Sequence, residues 1–135
     1  MHSDEEIADT YLRHYELKQD SDFWAFQEVD ELLRTPEIAW RMTRLLISKA
    51  PSKEALAYIG AGPLEDLLYA RPVEFMEMVA AAARSDERLQ FALSNVGLEE
   101  LAEEDPPAWA IWAAIKKEFD LDAKRALIYR ESSAR

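Results

Sequence analysis

Apolar residues in this chain recur every three or four positions and nowhere alternate, which restricts it to a fold made of helices. Ile7, Tyr11 and Tyr15 repeat every four residues, with Leu12 beside them. Phe26, Val29 and Leu33 form a second stripe flanked by Leu32, and Ile38, Met42, Leu45 and Leu46 a third. Further stripes join Val73, Met76, Val79, Ala80 and Ala83, then Leu89, Ala92, Leu93 and Val96, then Ile111, Trp112, Ile115 and Phe119. Four valines and three threonines leave little strand-forming material, whereas the good helix formers Ala, Leu, Glu and Arg dominate.

Boundary residues divide the stripes into helices. Ser3 and Glu6 have the spacing of a capping box, so a first helix begins after Ser3. Ser21 or Asp22 is suited to cap the second, and Pro36 to open the third. A short fourth helix is expected over 52–59 and a fifth over 63–69; a sixth begins near Pro72, and Ser85 or Asp86 caps a seventh. Residues 98–104 read as a short turn or helix. Asp105 then caps a longer helix with Pro106 and Pro107 in its first turn. A last short helix follows Leu121. The chain reads as one domain, 1–135, fraying at about 1–3 and 131–135.

The segment AYIGAGPLEDLLYARP, residues 57–72, holds two of the three glycines. Gly60, Gly62 and Gly97 all fall where a helix is expected to stop, the place where glycine enters the left-handed region without steric penalty. Gly62–Pro63 then reads as the end of one helix and the start of another. Glu65 and Asp66 fall in the new first turn, beside the positive end of the helix dipole. With no preceding strand, no third glycine and no G-K-[ST], a phosphate loop is excluded. Trp40, Leu56 and Gly62 recur 35 residues later as Phe75, Phe91 and Gly97, and LEDL at 64–67 recurs as LEEL at 98–101. This period suggests stacked helical hairpins, a short HEAT-like array of antiparallel pairs.

AWRMTRLLISKAP followed by EALAYIGAGPLEDLL resembles the core of an uncharacterised bacterial domain family of unknown function. The A-G-P-L-E-D-L-L stretch is its most recognisable feature; here the matching positions are Gly62, Pro63, Leu64, Glu65, Asp66, Leu67 and Leu68. The resemblance covers about residues 22–100 and implies a bacterial, cytoplasmic, all-helical domain. It carries over no activity, cofactor or site residue.

Chemistry has few carriers. Cysteine is absent, which removes disulfides and thiolate sites. His2 and His14 stand in no metal-binding spacing, and no nucleophile elbow or calcium loop occurs. The acidic pairs Asp30/Glu31, Glu65/Asp66 and Glu103/Glu104 are neighbours in sequence, so on a helix they diverge by about 100° rather than face each other. No catalytic, cofactor-binding or metal-binding residue is therefore expected. A net charge of −11 disfavours direct contact with nucleic acid and favours basic partners. No apolar run is long enough to cross a bilayer or to serve as a secretory signal.

Four tryptophans carry the remaining signal. Trp24 projects roughly 160° from the Phe26/Val29/Leu33 stripe, on a face shared with Gln27, Glu28 and Glu31. Trp40 likewise lies opposite Ile38, Met42 and Leu45. Inner helices would bury both rings. The functional reading makes Trp24, Gln27, Glu28 and Glu31 a patch for a basic protein partner. Trp112 is expected in the core and Trp109 at its edge. The basic stretch 36–53, with Arg41, Arg44, Lys49 and Lys53, is expected to neutralise acidic neighbours. The expectation is thus a non-enzymatic, cytoplasmic interaction module, with an immunity or antitoxin-like role as its sharpest form. Alternatives are a nucleic-acid-mimicking inhibitor and a carboxylate-dependent enzyme or small-ligand binder.

Overall fold

Helix starts lie where side chains and prolines dictate them. The computed structural model describes residues 2–133. These form α1 (Asp4–Leu17), α2 (Phe23–Leu32), α3 (Pro36–Lys49), α4 (Lys53–Ile59), α5 (Glu65–Ala70), α6 (Pro72–Ala83), α7 (Glu87–Leu93), α8 (Leu101–Glu104), α9 (Pro106–Phe119) and α10 (Leu121–Ser133), with no strand among the described residues. The Ser3 hydroxyl accepts the Glu6 N–H at 3.1 Å, Ser52 that of Ala55 at 3.1 Å, Asp86 that of Leu89 at 3.1 Å and Asp105 that of Ala108 at 3.2 Å. Pro36, Pro72 and Pro106 each occupy the first helical position, where a missing N–H costs nothing.

Asp22 behaves differently from the expected cap. It closes a 3₁₀ turn, Asp20–Asp22, and its side chain caps no backbone N–H. Instead both carboxylate oxygens accept from the Arg13 guanidinium at 2.9 Å. Two bonds to a cationic guanidinium outcompete a single bond to an uncharged backbone N–H. The final helix is also longer than expected, at 13 residues. At the two ends, Ser3 is engaged as a cap and Glu131 pairs with Lys53 at 3.0 Å; Met1, Ala134 and Arg135 lie outside the described residues.

α1 packs on α2 and α3, α4 on α7, α6 on α9, and α10 on α7 and α4. The core holds Leu46, Ile59, Leu67, Leu68, Met76, Leu89 and Leu93, all fully buried. The leucines of both echoed tetrads, Leu64, Leu67, Leu98 and Leu101, are buried as well. α3–α5 and α6–α8 follow the same order of a long helix and two shorter ones.

Several stripes are rotated from the sequence reading. Phe26, Ile38 and Val73 are exposed, while α2 buries Ala25 and Val29 and α3 buries Ala39, Met42, Thr43, Leu46 and Ile47. Small residues let helices approach closely, so the contact face centres on alanine and not on the largest side chains. Trp112 is buried and Trp109 half-buried, as the sequence indicates.

The joint between α4 and α5 is a wide turn, Gly60–Leu64, in which the Glu65 N–H reaches back to the Gly60 carbonyl. Such a five-residue closure is a π turn. Gly62 is its non-helical residue, with φ −111° and ψ −106°. Pro63 lies inside this turn and α5 opens at Glu65, two residues later than expected. No glycine adopts positive φ; the left-handed positions are Lys18 and Asp120, which terminate α1 and α9. Gly60 itself is helical, with φ −61° and ψ −46°. Its role is steric: a Cβ there would lie 1.8 Å from the Ala92 carbonyl oxygen on α7.

The basic stretch neutralises acidic neighbours. Lys49 meets Glu5 at 2.6 Å and Asp9 at 3.0 Å, and Arg41 meets Asp4 at 3.3 Å, tying α3 to α1. Arg71 pairs with Glu37 at 2.6 Å and Arg84 with Glu118 at 2.8 Å.

Candidate functional site

The structure separates the residues singled out on α2. Gln27, Glu28 and Glu31 are exposed, and Glu31 pairs with Arg34 at 3.0 Å. Trp24 is half-buried against the core, and the His2 ring stacks on it at 3.9 Å between centroids. Trp24 is therefore covered rather than projecting. Rotation of α2 onto Ala25 and Val29 carries it inward and brings other rings out. Trp40 is also half-buried, with the Arg44 guanidinium over its ring at 5.6 Å.

The rings brought out are Phe23 and Phe26, 44% and 38% exposed. They stack at 5.5 Å and 14°. Phe26 continues to Tyr11 at 6.2 Å, Tyr11 to Tyr58 at 5.7 Å, and Tyr58 to Tyr15 at 4.5 Å. Lys18, the left-handed cap of α1, lies over Tyr15 at 5.2 Å and over Tyr58 at 5.7 Å. His14 meets Phe23 edge-on at 5.7 Å. A row of aromatic rings thus runs from exposed Phe23 to half-buried Tyr15, across α1, α2 and α4.

Beside this row lies a small cleft. Tyr11, Phe26, Val29 and Leu33 form its walls, Gly62 and Pro63 of the joint close one side, and Asp30 and Asp66 supply carboxylates. Its free space is about 50 Å³. A water occupies about 30 Å³ in the liquid and small-molecule sites run to roughly 300–1,000 Å³, so the cleft suits a side-chain tip. Desolvation by the surrounding cleft, together with the nearby Asp30 charge, holds the exposed Asp66 carboxyl above the usual range. Burial is the main cause that pushes the Tyr11 hydroxyl far above the ordinary tyrosine range, with Tyr58 adding to it.

On the other side of the joint, Glu65 accepts the Gly97 N–H at 2.6 Å. Desolvation raises the Glu65 carboxyl, the Gly97 hydrogen bond opposes the rise, and Asp66, Glu99 and Glu100 reinforce it. Gly62, Pro63 and Asp66 therefore border the cleft, whereas Glu65 and Gly97 join the two echoed acidic segments to each other.

A larger open groove of about 660 Å³ is lined by Asp4, Glu5, Arg41, Arg44, Asp86 and Arg88, among others. Its guanidinium groups are engaged internally. Arg41 and Arg44 face Asp4 and Asp86, and Arg88 donates to the Ile47 and Ala50 carbonyls at the end of α3. Among the described residues no group of three or more His, Cys, Asp or Glu is placed to hold a metal ion, and no helix is long and apolar enough to cross a membrane.

The family follows from comparison with known sequences. A model for a family of unknown function, DUF6869, matches residues 13–122. The chain belongs to this DUF6869 family. No curated protein and no solved structure is significantly similar to it. The matched span contains Phe23, Phe26, Asp30, Tyr58 and Asp66, while Tyr11, the inner wall of the cleft, precedes it.

Sequence reasoning placed Phe26 in a buried stripe and did not single out Phe23. The available signal was Phe23 and Phe26 at helical spacing, with Ala25 and Val29 offering a smaller, complete face for packing.

Proposed function

We propose that this DUF6869 member is a non-enzymatic protein-interaction module whose partner is basic. The observation that carries this reading is the exposed Phe23–Phe26 pair beside carboxylates, since an aromatic anchor with a charged rim is what recognition patches use. The patch shifts from Trp24, Gln27, Glu28 and Glu31 to its neighbouring face on the same helix. The net charge of −11 supports a basic partner through attraction at long range. The scaffold is read as stacked helical hairpins of the HEAT-like kind, supported by the common element order of α3–α5 and α6–α8. An immunity or antitoxin-like role in a bacterial cytoplasm is the specific form of this reading. Acids gathered in the first turns of α1 and α5, several of them paired internally, favour it over a row of phosphate substitutes. The small size of this cleft, and the internal engagement of the guanidinium groups in the larger groove, favour it over an enzyme.

The test is affinity capture with wild type and with Phe23→Ser/Phe26→Ser. Wild type is expected to retain a basic protein that the double variant loses while keeping its helical spectrum. Identical retained proteins, or none that is basic, would refute the reading.

A further inference from the structure

Some acids meet cations: Asp4, Glu5, Asp9, Asp22 and Glu37 each face an arginine or lysine. Asp30 and Asp66 border one cleft, and among the described residues neither has an ion-pair partner. Their mutual repulsion is left uncompensated by the chain itself. The wall next to them is the exposed Phe26 ring, parallel within 7° to the Tyr11 ring behind it. The space of about 50 Å³ excludes a whole metabolite and admits the end of one side chain.

Two carboxylates offer acceptors only, so the complementary group must be a donor and a cation. A guanidinium is planar, presents several N–H groups in a fixed fork and stacks on aromatic faces, whereas an ammonium is a strongly hydrated point charge. A cleft with two carboxylates and an aromatic wall favours the guanidinium. Resting on the module reading above, we propose that this cleft receives one arginine side chain of a partner protein. Its guanidinium sits between Asp30 and Asp66, against the exposed Phe26 ring.

The experiment titrates the full isotope-labelled chain with a nine-residue peptide carrying one central arginine in a glycine–serine background, and with its lysine counterpart. The arginine peptide is expected to shift the amide signals of Phe26, Asp30 and Asp66 and to bind more tightly than the lysine peptide. Asp30→Asn/Asp66→Asn, at two exposed positions, is expected to weaken binding by about tenfold or more. Phe26→Leu is expected to abolish the preference for arginine over lysine. Glu103→Gln/Glu104→Gln on α8, whose main packing partner is α9, removes the same charge elsewhere and is expected to leave binding nearly unchanged. An equal loss in both double variants, shifts confined to another face, or lysine binding as well as arginine would overturn the proposal. A captured basic partner that survives Asp30→Asn/Asp66→Asn retires the cleft but leaves the module, whereas the absence of any such partner retires both.

Discussion

Gly60→Ala sets two effects against each other. Gly60 has ordinary helical angles, so propensity alone predicts that alanine stabilises by about 0.5–1 kcal/mol. The new Cβ, however, would stand 1.8 Å from the Ala92 oxygen, 2.8 Å from its carbonyl carbon and 3.3 Å from its Cα. Comfortable contact needs about 3.5 Å, so α7 would have to retreat by roughly 1.7 Å. The obstacle is backbone, which no rotamer change can move, and α7 is held by buried Leu89, Phe91 and Leu93. Overpacking of this kind costs about 1–3 kcal/mol, and more where backbone must shift. The net expectation is a loss of about 1–2 kcal/mol, a fall of about 3–10 °C in Tm for a domain of this size. Urea and thermal unfolding followed by far-UV circular dichroism measure it. A variant as stable as wild type, or more stable, would show that α4 and α7 do not approach as described.

Other perturbations separate local effects from packing. Arg13 holds the Asp22 carboxyl below the usual range, so its stabilisation is present above the unfolded value near 4 and lost as pH falls through the lower folded value. Urea midpoints measured from neutral to about pH 2 are expected to fall more steeply for wild type than for Asp22→Asn, the two converging in acid. Glu65 is shifted the opposite way: its ionised form costs stability at neutral pH, and the cost disappears as pH falls through the raised folded value toward the unfolded one. Glu65→Gln, which keeps an acceptor for the Gly97 N–H, is expected to match or exceed wild type at pH 7. Glu65→Ala is expected to lose about 1 kcal/mol by denaturant titration. Truncation after Asp120 removes buried Leu121 and Ile128, worth about 1.5–3 kcal/mol each; limited proteolysis is expected to cut the shortened chain much faster than the full one.

The starts of helices were legible because their causes are local. Ser3, Ser52, Asp86 and Asp105 cap N–H groups three residues away, and Pro36, Pro72 and Pro106 stand at fixed first positions. The face each helix buries depends on distant partners and was less legible. Ala25 and Ala39 take the contact positions that size alone would assign to Phe26 and Ile38. Asp22 shows the same limit, since Arg13 on another helix claims the carboxylate that local reasoning gives to a cap. The glycines near 60–62 were read as helix ends taking a left-handed φ, whereas their physics is close approach and a wide turn. The cleft depended on both errors: it appears only once Phe26 turns outward and the joint swings Asp66 beside Asp30.

The wide turn at 60–64 has an evolutionary consequence. Surface loops ordinarily absorb insertions and deletions, but here the spacing is counted through a helix-like turn into α5. Loss of one residue such as Ala61 would swivel everything downstream by about 100°. Leu67 and Leu68 would leave the interior together, and Asp66 would depart from Asp30. Homologous chains should therefore keep the length of this segment and a residue without a Cβ at Gly60, whatever else varies around them.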